Sequence, residues 1–318
     1  ITGVGFEPGF VWMKNNSQSE RHCMYDIVRG GDFRVASNSK ISEDDTEAVS
    51  SFDADGWTLA ANNAVRENTD GENYVAWNWK LSGSSSTNTD GTVNSSVSAG
   101  STISNKKWIS VATYTGTGTA ETYGHGLSSA PTIIYTRNRT DSTPHWAFFA
   151  EGLGTGKYME LDASTTPVTD AQIYPSVGDS TIGLGLENHA DSPTNTSGDN
   201  YVSFSFANCE GLCKAGTYIG SSTTDGAVVY TGFRPRYLII RKLQAGDTIV
   251  VDTFRSPANP NTLLLRLNQT QASQISTTVT LDILSNGFKI RTASLNASGV
   301  EIAYLAIAEQ PFKYANAR

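Results

Sequence analysis

The stretch NYVAWNWK, Asn73–Lys80, decides how the rest of this chain is read. In an extended strand alternate side chains share a face, so Val75, Trp77 and Trp79 line up on one side and Tyr74, Ala76 and Asn78 on the other. Two tryptophans on one face form either a surface platform for a sugar ring or part of a core, and one strand alone fits both. The chain contains the stretch twice more: SGDNYVSFSFAN (197–208) and SGVEIAYLAIAE (298–309) align with DGENYVAWNWK (70–80) on Gly198, Gly299 and Gly71. Where the first copy has Trp77 and Trp79, the second has Phe204 and Phe206 and the third Leu305 and Ile307. A sugar platform needs a flat ring, whereas Leu and Ile meet only a demand for buried apolar volume. These six residues are therefore read as core, with the opposite, more polar face wetted as in a one-sided antiparallel sheet.

Outward from these closing segments, three opening segments also match: GVGFEPGFVWMK from Gly3, GHGLSSAPTIIYTR from Gly124 and YTGFRPRYLIIRK from Tyr230. Each has a glycine, an apolar residue, a Pro-containing turn and a β-run ending in Lys14, Arg137 or Arg241; Trp12 in the first joins the predicted core. Opening and closing glycines lie 66, 72 and 67 residues apart (Gly5 to Gly71, Gly126 to Gly198, Gly232 to Gly299). Near-equal spacing identifies an internal repeat. Between them, SFDADGWTLAA and DILSNGFKIRT read as hairpins with turn glycines, while the middle copy has SVGDSTIGLGL and a different turn.

The predicted fold is all-β, with three tandem antiparallel sandwich-like units. Composition agrees: of 318 residues only 17% are charged, 29 are glycine and 10% are aromatic, and the apolar runs are rich in β-branched residues. The expected division is residues 1–83, a Ser/Thr/Asn/Gly-rich linker at 84–106, a second unit at 107–216 with loop insertions, and a third at 217–318. A strand leads into the second and third units (WISVATYTGTG, AVVYTG), and none stands ahead of Gly3. The expectation is that residues before Ile1 complete the first unit.

The net charge of −8, from 31 acidic and 23 basic residues, comes without a basic run that would track a phosphate backbone, so no nucleic acid partner is expected. No apolar stretch approaches the roughly 20 residues of a membrane helix. Cys23, Cys209 and Cys213 form neither a disulfide framework nor a zinc pattern. Four scattered histidines make no motif; His125 sits on a turn and is read as a loop cap. Neither a nucleophile elbow nor a phosphate-binding glycine loop is present. Paired carboxylates, as in glycosidases, have candidates in ISEDDTEA (41–48) and FDADG (52–56). The first is read as a solvated loop, and the second falls short of a calcium loop. No cofactor, metal or catalytic residue is assigned, and the chain is read as a non-enzyme.

TGVGFEPGFVWMKN, SFDADGWTL, GENYVAWNWK, GAVVYTGFRPRYLIIRK, LSNGFKIR and the terminal AEQPFKYANAR together resemble a family of β-rich repeat domains in tail fibres and other virion-surface proteins of marine and cyanobacterial phages. The resemblance covers most of the chain and implies a structural virion protein on the exterior of the particle. Its partners would be other virion proteins and a host-surface glycan or protein, and it would form a homo-oligomer, a trimer in a fibre. Capsid decoration and a glycan-cleaving tailspike are the alternatives. The middle copy carries the longest insertions, and loops are where recognition concentrates, so His145, Trp146, Tyr174 and His189 are the candidate contact residues, with burial the stronger reading for Trp146 because it aligns near the strand MYDIV.

Overall fold

In the computed structural model, residues 1–45, 48–60, 66–101, 105–187 and 192–310 are described. They form 26 strands and two short 3-10 turns. The first unit contains β1 (Phe10–Asn15), β2 (His22–Asp26), β3 (Gly30–Ala36), β4 (Asp44–Asp45), β5 (Val49–Asp53), β6 (Gly56–Leu59) and β7 (Tyr74–Trp79). The second contains β8 (Ser86–Asn88), β9 (Ser95–Ser101), β10 (Lys107–Thr115), β11 (Glu121–Gly124), β12 (Ile133–Asn138), β13 (Ala147–Ala150), β14 (Lys157–Glu160), β15 (Val168–Thr169), β16 (Thr181–Leu184) and β17 (Asn200–Phe206). The third contains β18 (Cys213–Ile219), β19 (Val228–Tyr230), β20 (Pro235–Lys242), β21 (Thr248–Asp252), β22 (Leu263–Arg266), β23 (Gln274–Ile275), β24 (Leu281–Leu284), β25 (Gly287–Ile290) and β26 (Glu301–Ala308).

Three large antiparallel sheets share one connection pattern. Their orders are β4-β3-β2-β1-β7, then β15-β14-β13-β12-β17-β10-β9-β8, then β23-β22-β21-β20-β26-β18. In each, a four-strand meander is joined by the closing strand lying against its opening strand, with Trp12 opposite Trp77, Tyr135 opposite Phe204 and Ile239 opposite Leu305. The glycines that bound each repeat, Gly5, Gly126, Gly232, Gly71, Gly198 and Gly299, all have φ between 68° and 88°, a region other residues enter only with strain.

One face of all three sheets meets in a single central core. Trp12, Trp77, Trp79, Phe204, Phe206, Leu305 and Ile307 all belong to it. Aromatic contacts cross between sheets: Phe10 with Phe204 at 4.8 Å, Trp12 with Tyr135 at 6.3 Å, Trp77 with Tyr237 at 5.2 Å. This is a three-walled arrangement in which each sheet packs on the other two.

The other face is not wetted, which corrects the sequence expectation. A smaller sheet lies over it in every unit: β5-β6, β11-β16 and β19-β25-β24, with separate cores beneath. Ser203 and Ser205 are fully buried there, Tyr201 stacks on Tyr114, and Trp57 donates Nε1–H to Asn78 Oδ1 at 3.0 Å. Small polar side chains on this face are thus close-packed positions under a second layer, and each unit is a sandwich. Gly56 and Gly287 also serve differently from the predicted turn role. Asp53 pairs with Gly56 and Leu284 with Gly287, so both glycines begin the returning strand. A Cβ on either would stand about 2 Å from the backbone oxygen of Ile1 or Val229. The close crossing of a neighbouring strand excludes any side chain.

Residues 84–106, expected as a linker, contribute β8 and β9 to the second sheet. Residues Ser96–Ser101 pair with β10, and Val97 and Ala99 are buried under the small sheet. Alternation of Ser with small apolar residues carries little hydrophobic signal, yet it suits a strand tucked beneath another layer. The expected boundary at 216 falls inside β18, which belongs to the third sheet.

Two of the three repeated basic residues, Arg137 and Arg241, lock units together. Arg137 is fully buried and donates to the carbonyls of Pro144, Asp141 and, in the first unit, Lys40. Arg241 reaches into the second unit, donating Nη2–H to Glu160 O and Ala163 O, each at 3.0 Å. Lys14 stays within its own unit, on Asn15 O and Gln18 O at 2.5 and 2.8 Å; there the third-to-first junction is tied instead by Ser37 Oγ donating to Leu267 O at 2.8 Å.

Burial lowers the Lys14 ammonium from its ordinary 10.5 to about 8, against the opposing influence of Cys23 and Glu20. An unfolded chain keeps that proton to about pH 10.4. Between pH 8 and 10.5 the unfolded state therefore binds more protons, and stability rises with pH through that window by at most about 1.4 kcal/mol per unit. Urea unfolding of wild type and Lys14→Met at pH 7, 8 and 9.5 checks this: the difference between them is expected to move in favour of wild type above pH 8. Parallel pH profiles would contradict it.

Candidate functional site

The residues singled out in the insertion-bearing unit do not converge. Trp146 has no exposure and donates Nε1–H to Ala36 O and Ser39 O of the first unit at 2.9 and 3.0 Å. Tyr174 is also buried, its hydroxyl donating to Thr136 Oγ1 at 2.8 Å. Tyr174 is corrected from contact residue to scaffold, and Trp146 takes the buried alternative that its alignment near MYDIV favours. Each carries one polar atom on a large apolar body, and burial with that atom satisfied is the common resting place for such a side chain. His189 lies outside the described residues. Of the three that are described, His145 alone is at the surface, with its side chain 37% exposed and Nδ1 at 2.9 Å from Asp162 and 3.9 Å from Glu160.

Of the carboxylates offered by the sequence as a catalytic pair, Glu43, Asp44 and Asp55 are engaged in the fold, and Glu47 lies outside the described residues. Glu43 bridges Arg29 at 2.8 Å and Arg139 of the second unit at 2.6 Å. Burial raises its pKa, but hydrogen bonds and charge from Arg139 and Arg29 outweigh that and hold it below the usual range. Asp44 pairs with Arg34 at 2.5 Å. Asp55 accepts from Gly5 N–H at 2.6 Å and Gly3 N–H at 3.0 Å, fixing the opening turn, and these bonds lower its pKa. Among the described residues no three His, Cys, Asp or Glu side chains gather as a metal site.

His125 caps its turn, with Nδ1 accepting from Leu127 N–H at 3.1 Å and Nε2 3.2 Å from Gly178 O. Burial holds it below its ordinary pKa. Cys23 lies 3.3 Å from Glu67, and burial followed by that carboxylate raises its pKa far above the ordinary thiol value. Cys213 is also fully buried with a raised pKa. Such thiols are poor nucleophiles.

A large concave feature, which sequence reasoning missed, is a cleft of about 1110 Å³ where the first and third sheets meet, with Ser101 and Trp108 of the second unit also in its lining. One wall is β7 from Val75 to Lys80; the facing wall includes Tyr237, Asp252, Phe254 and the end of β26. Trp77 and Trp79 present only narrow edges to it, being 9% and 6% exposed. Arg255, ion-paired to Asp252 at 2.5 Å, has its guanidinium 5.7 Å from the Trp77 ring centroid. The Tyr237 hydroxyl is buried with no hydrogen-bond partner, and burial raises its pKa well above the ordinary value. At the mouth Arg236 lies over the Phe254 ring at 5.2 Å and reaches Glu309 at 3.7 Å. The cleft is apolar at depth and charged at its rim. No single segment signals it, because its walls come from residues more than 150 positions apart.

No curated protein and no solved structure matches the chain. A family model described as a domain of unknown function, DUF7483, matches residues 1–311. With nearly its whole length inside that match, the chain belongs to this family.

Proposed function

We propose that this chain is a non-catalytic module of a virion surface, acting at the outer part of a tail fibre where loops meet the host. The observation that carries the reading is the internal commitment of its ionisable groups. Glu43, Asp44, Asp55, Arg137 and Arg241, the residues best suited to chemistry, are held by partners within the scaffold. What they stabilise is a rigid support for polar loops, the form in which binding modules present contact residues. The motifs shared with virion-surface repeat domains point the same way. Individual contacts of about millimolar strength become effective when several copies are held in one fibre.

Binding of the purified oligomer to a panel of intact cells and extracted surface polysaccharides tests the reading, with reducing ends followed in the same samples. Saturable binding without new reducing ends is expected. Released oligosaccharide would overturn the non-catalytic assignment.

A second reading, a subunit that cements neighbouring capsid or tail proteins, has Val228 and Tyr230 in its favour. They project from the outward face of β19, 60% and 66% exposed. Large aromatic and aliphatic side chains on an outer sheet suit a permanent contact more than a sugar. Absence of any cell or glycan binding by the oligomer would favour this reading.

A further inference from the structure

The three large sheets differ at one edge. In the second unit the closing strand β17 has β12 on one side and β10 on the other; in the third, β26 has β20 on one side and β18 on the other. Closing strand β7 has β1 on one side, and among the described residues no strand on the other. That free side of β7 is the wall of the 1110 Å³ cleft. The cleft thus sits where the other two units have a strand, and Trp77 and Trp79 line it because no strand among the described residues covers their outer edges.

The filled counterparts define what fits. On β17, Ile109, Val111 and Thr113 stand opposite Phe206, Phe204 and Val202; on β26, Cys213, Ala215 and Thr217 stand opposite Ile307, Leu305 and Ala303. The matching acceptor positions on β7 are Trp79, Trp77 and Val75. Their bulk calls for small apolar residues at alternate positions of the incoming strand, as in β18.

The path of the chain sets where such a strand would come from. Lys107 stands 19 residues before Gly126 and Cys213 stands 19 residues before Gly232. Between leading strand and glycine, the chain crosses the small sheet as β11 or β19. The first unit keeps this crossing: Thr2 bridges Gly56, and the Ile1 amino group donates to Trp57 O at 2.8 Å. An unpaired sheet edge beside an apolar cleft is a template for strand addition.

We infer that β7 is a strand acceptor, and that its occupant is a segment of the same polypeptide lying N-terminal to Ile1, antiparallel to β7 and roughly 7 to 15 residues ahead of Ile1 by the offset of the other two units. The inference is independent of the attachment reading, since it concerns completion of the first sheet rather than the ligand of the loops.

The test compares three proteins: residues 1–318; the same chain with a copy of residues 213–227 fused directly ahead of Ile1; and that fusion with the copied Gly216 and Tyr218 both changed to proline, which removes ladder donors. Hydrogen exchange of β7 amides and thermal unfolding are measured at two protein concentrations. The expected result is at least tenfold slower exchange of the cleft-facing β7 amides and a higher midpoint in the fusion alone. Equal exchange in all three proteins would overturn the acceptor assignment. Concentration-dependent protection of β7 in residues 1–318, with a dimer in sedimentation, would overturn the choice of occupant by placing a second copy at this edge.

Discussion

Replacing Trp146 by alanine is expected to lower the unfolding free energy by about 3–5 kcal/mol, the range for truncating a fully buried aromatic. The indole packs in the central core 6.2 Å from the Phe204 ring and closes the first-to-second junction through two carbonyls. Trp146→Phe separates the two contributions. Phenylalanine keeps most of the apolar volume but leaves the carbonyl of Ser39 without the indole donor, while Ala36 O keeps the N–H of Ser39 at 3.1 Å, so a smaller loss of about 1–3 kcal/mol is expected. Equilibrium unfolding in urea measures both variants. A change within about 0.5 kcal/mol, the range of ordinary surface substitutions, would return Trp146 to the set of contact residues.

Arg241→Met is the second large effect, and its sign requires weighing opposed terms. The buried guanidinium donates to Thr248 Oγ1 at 2.5 Å and to two carbonyls of the second unit. Burial lowers its pKa to about 10 even though Tyr135 and the carboxylates of Asp247, Asp162 and Glu160 act to raise it. Methionine removes that desolvation penalty and retains packing against Phe148. It also strands the carbonyl of Ala163, worth about 1–3 kcal/mol when left unsatisfied in the interior, while Glu160 O keeps the N–H of Ala163 at 3.4 Å. With hydrogen bonds to a charged donor worth about 1.5–3 kcal/mol each, the losses win, and a net destabilisation of roughly 2–4 kcal/mol is expected. Urea unfolding again reads it. Arg241→Lys should recover only part, because an ammonium lacks the planar fork that spans the separated acceptors. A fully stable Arg241→Met would mean that this arginine does not tie the third unit to the second.

How much of this was legible in the sequence depends on how local the determinant is. The all-β class followed from composition, and the three-copy pattern followed from six glycines and the strands they bound. Those glycines are dictated by backbone conformation, with φ between 68° and 88°, so a linear reading can find them. The inward placement of Trp77, Phe204 and Leu305 was readable because strand geometry ties alternate residues to one face, and comparison among copies removed the sugar-platform reading.

Features set by distant contacts were not legible. Ser203, Ser205 and Ala99 look solvent-facing because they are small and polar or nearly so; only the layers packed over them make them interior. Trp146 and Tyr174 lie in a variable region and look available, but one reaches across to Ala36 and Ser39 and the other back to Thr136. The acidic run at 41–48 reads as solvated until Arg29, Arg34 and Arg139 are brought to it from three separate strands and loops. The sequence by itself determined which residues repeat and which face of each strand is apolar, since both depend on spacing along the chain. Only the tertiary structure decided that three such faces share one core, that their reverse sides are also covered, and that among the described residues one closing strand, β7, has an unpaired edge. These depend on which surfaces meet, and the free energy of that meeting is set by residues as far apart in sequence as Asn16 and Ser273, whose backbones hydrogen-bond at 3.1 Å.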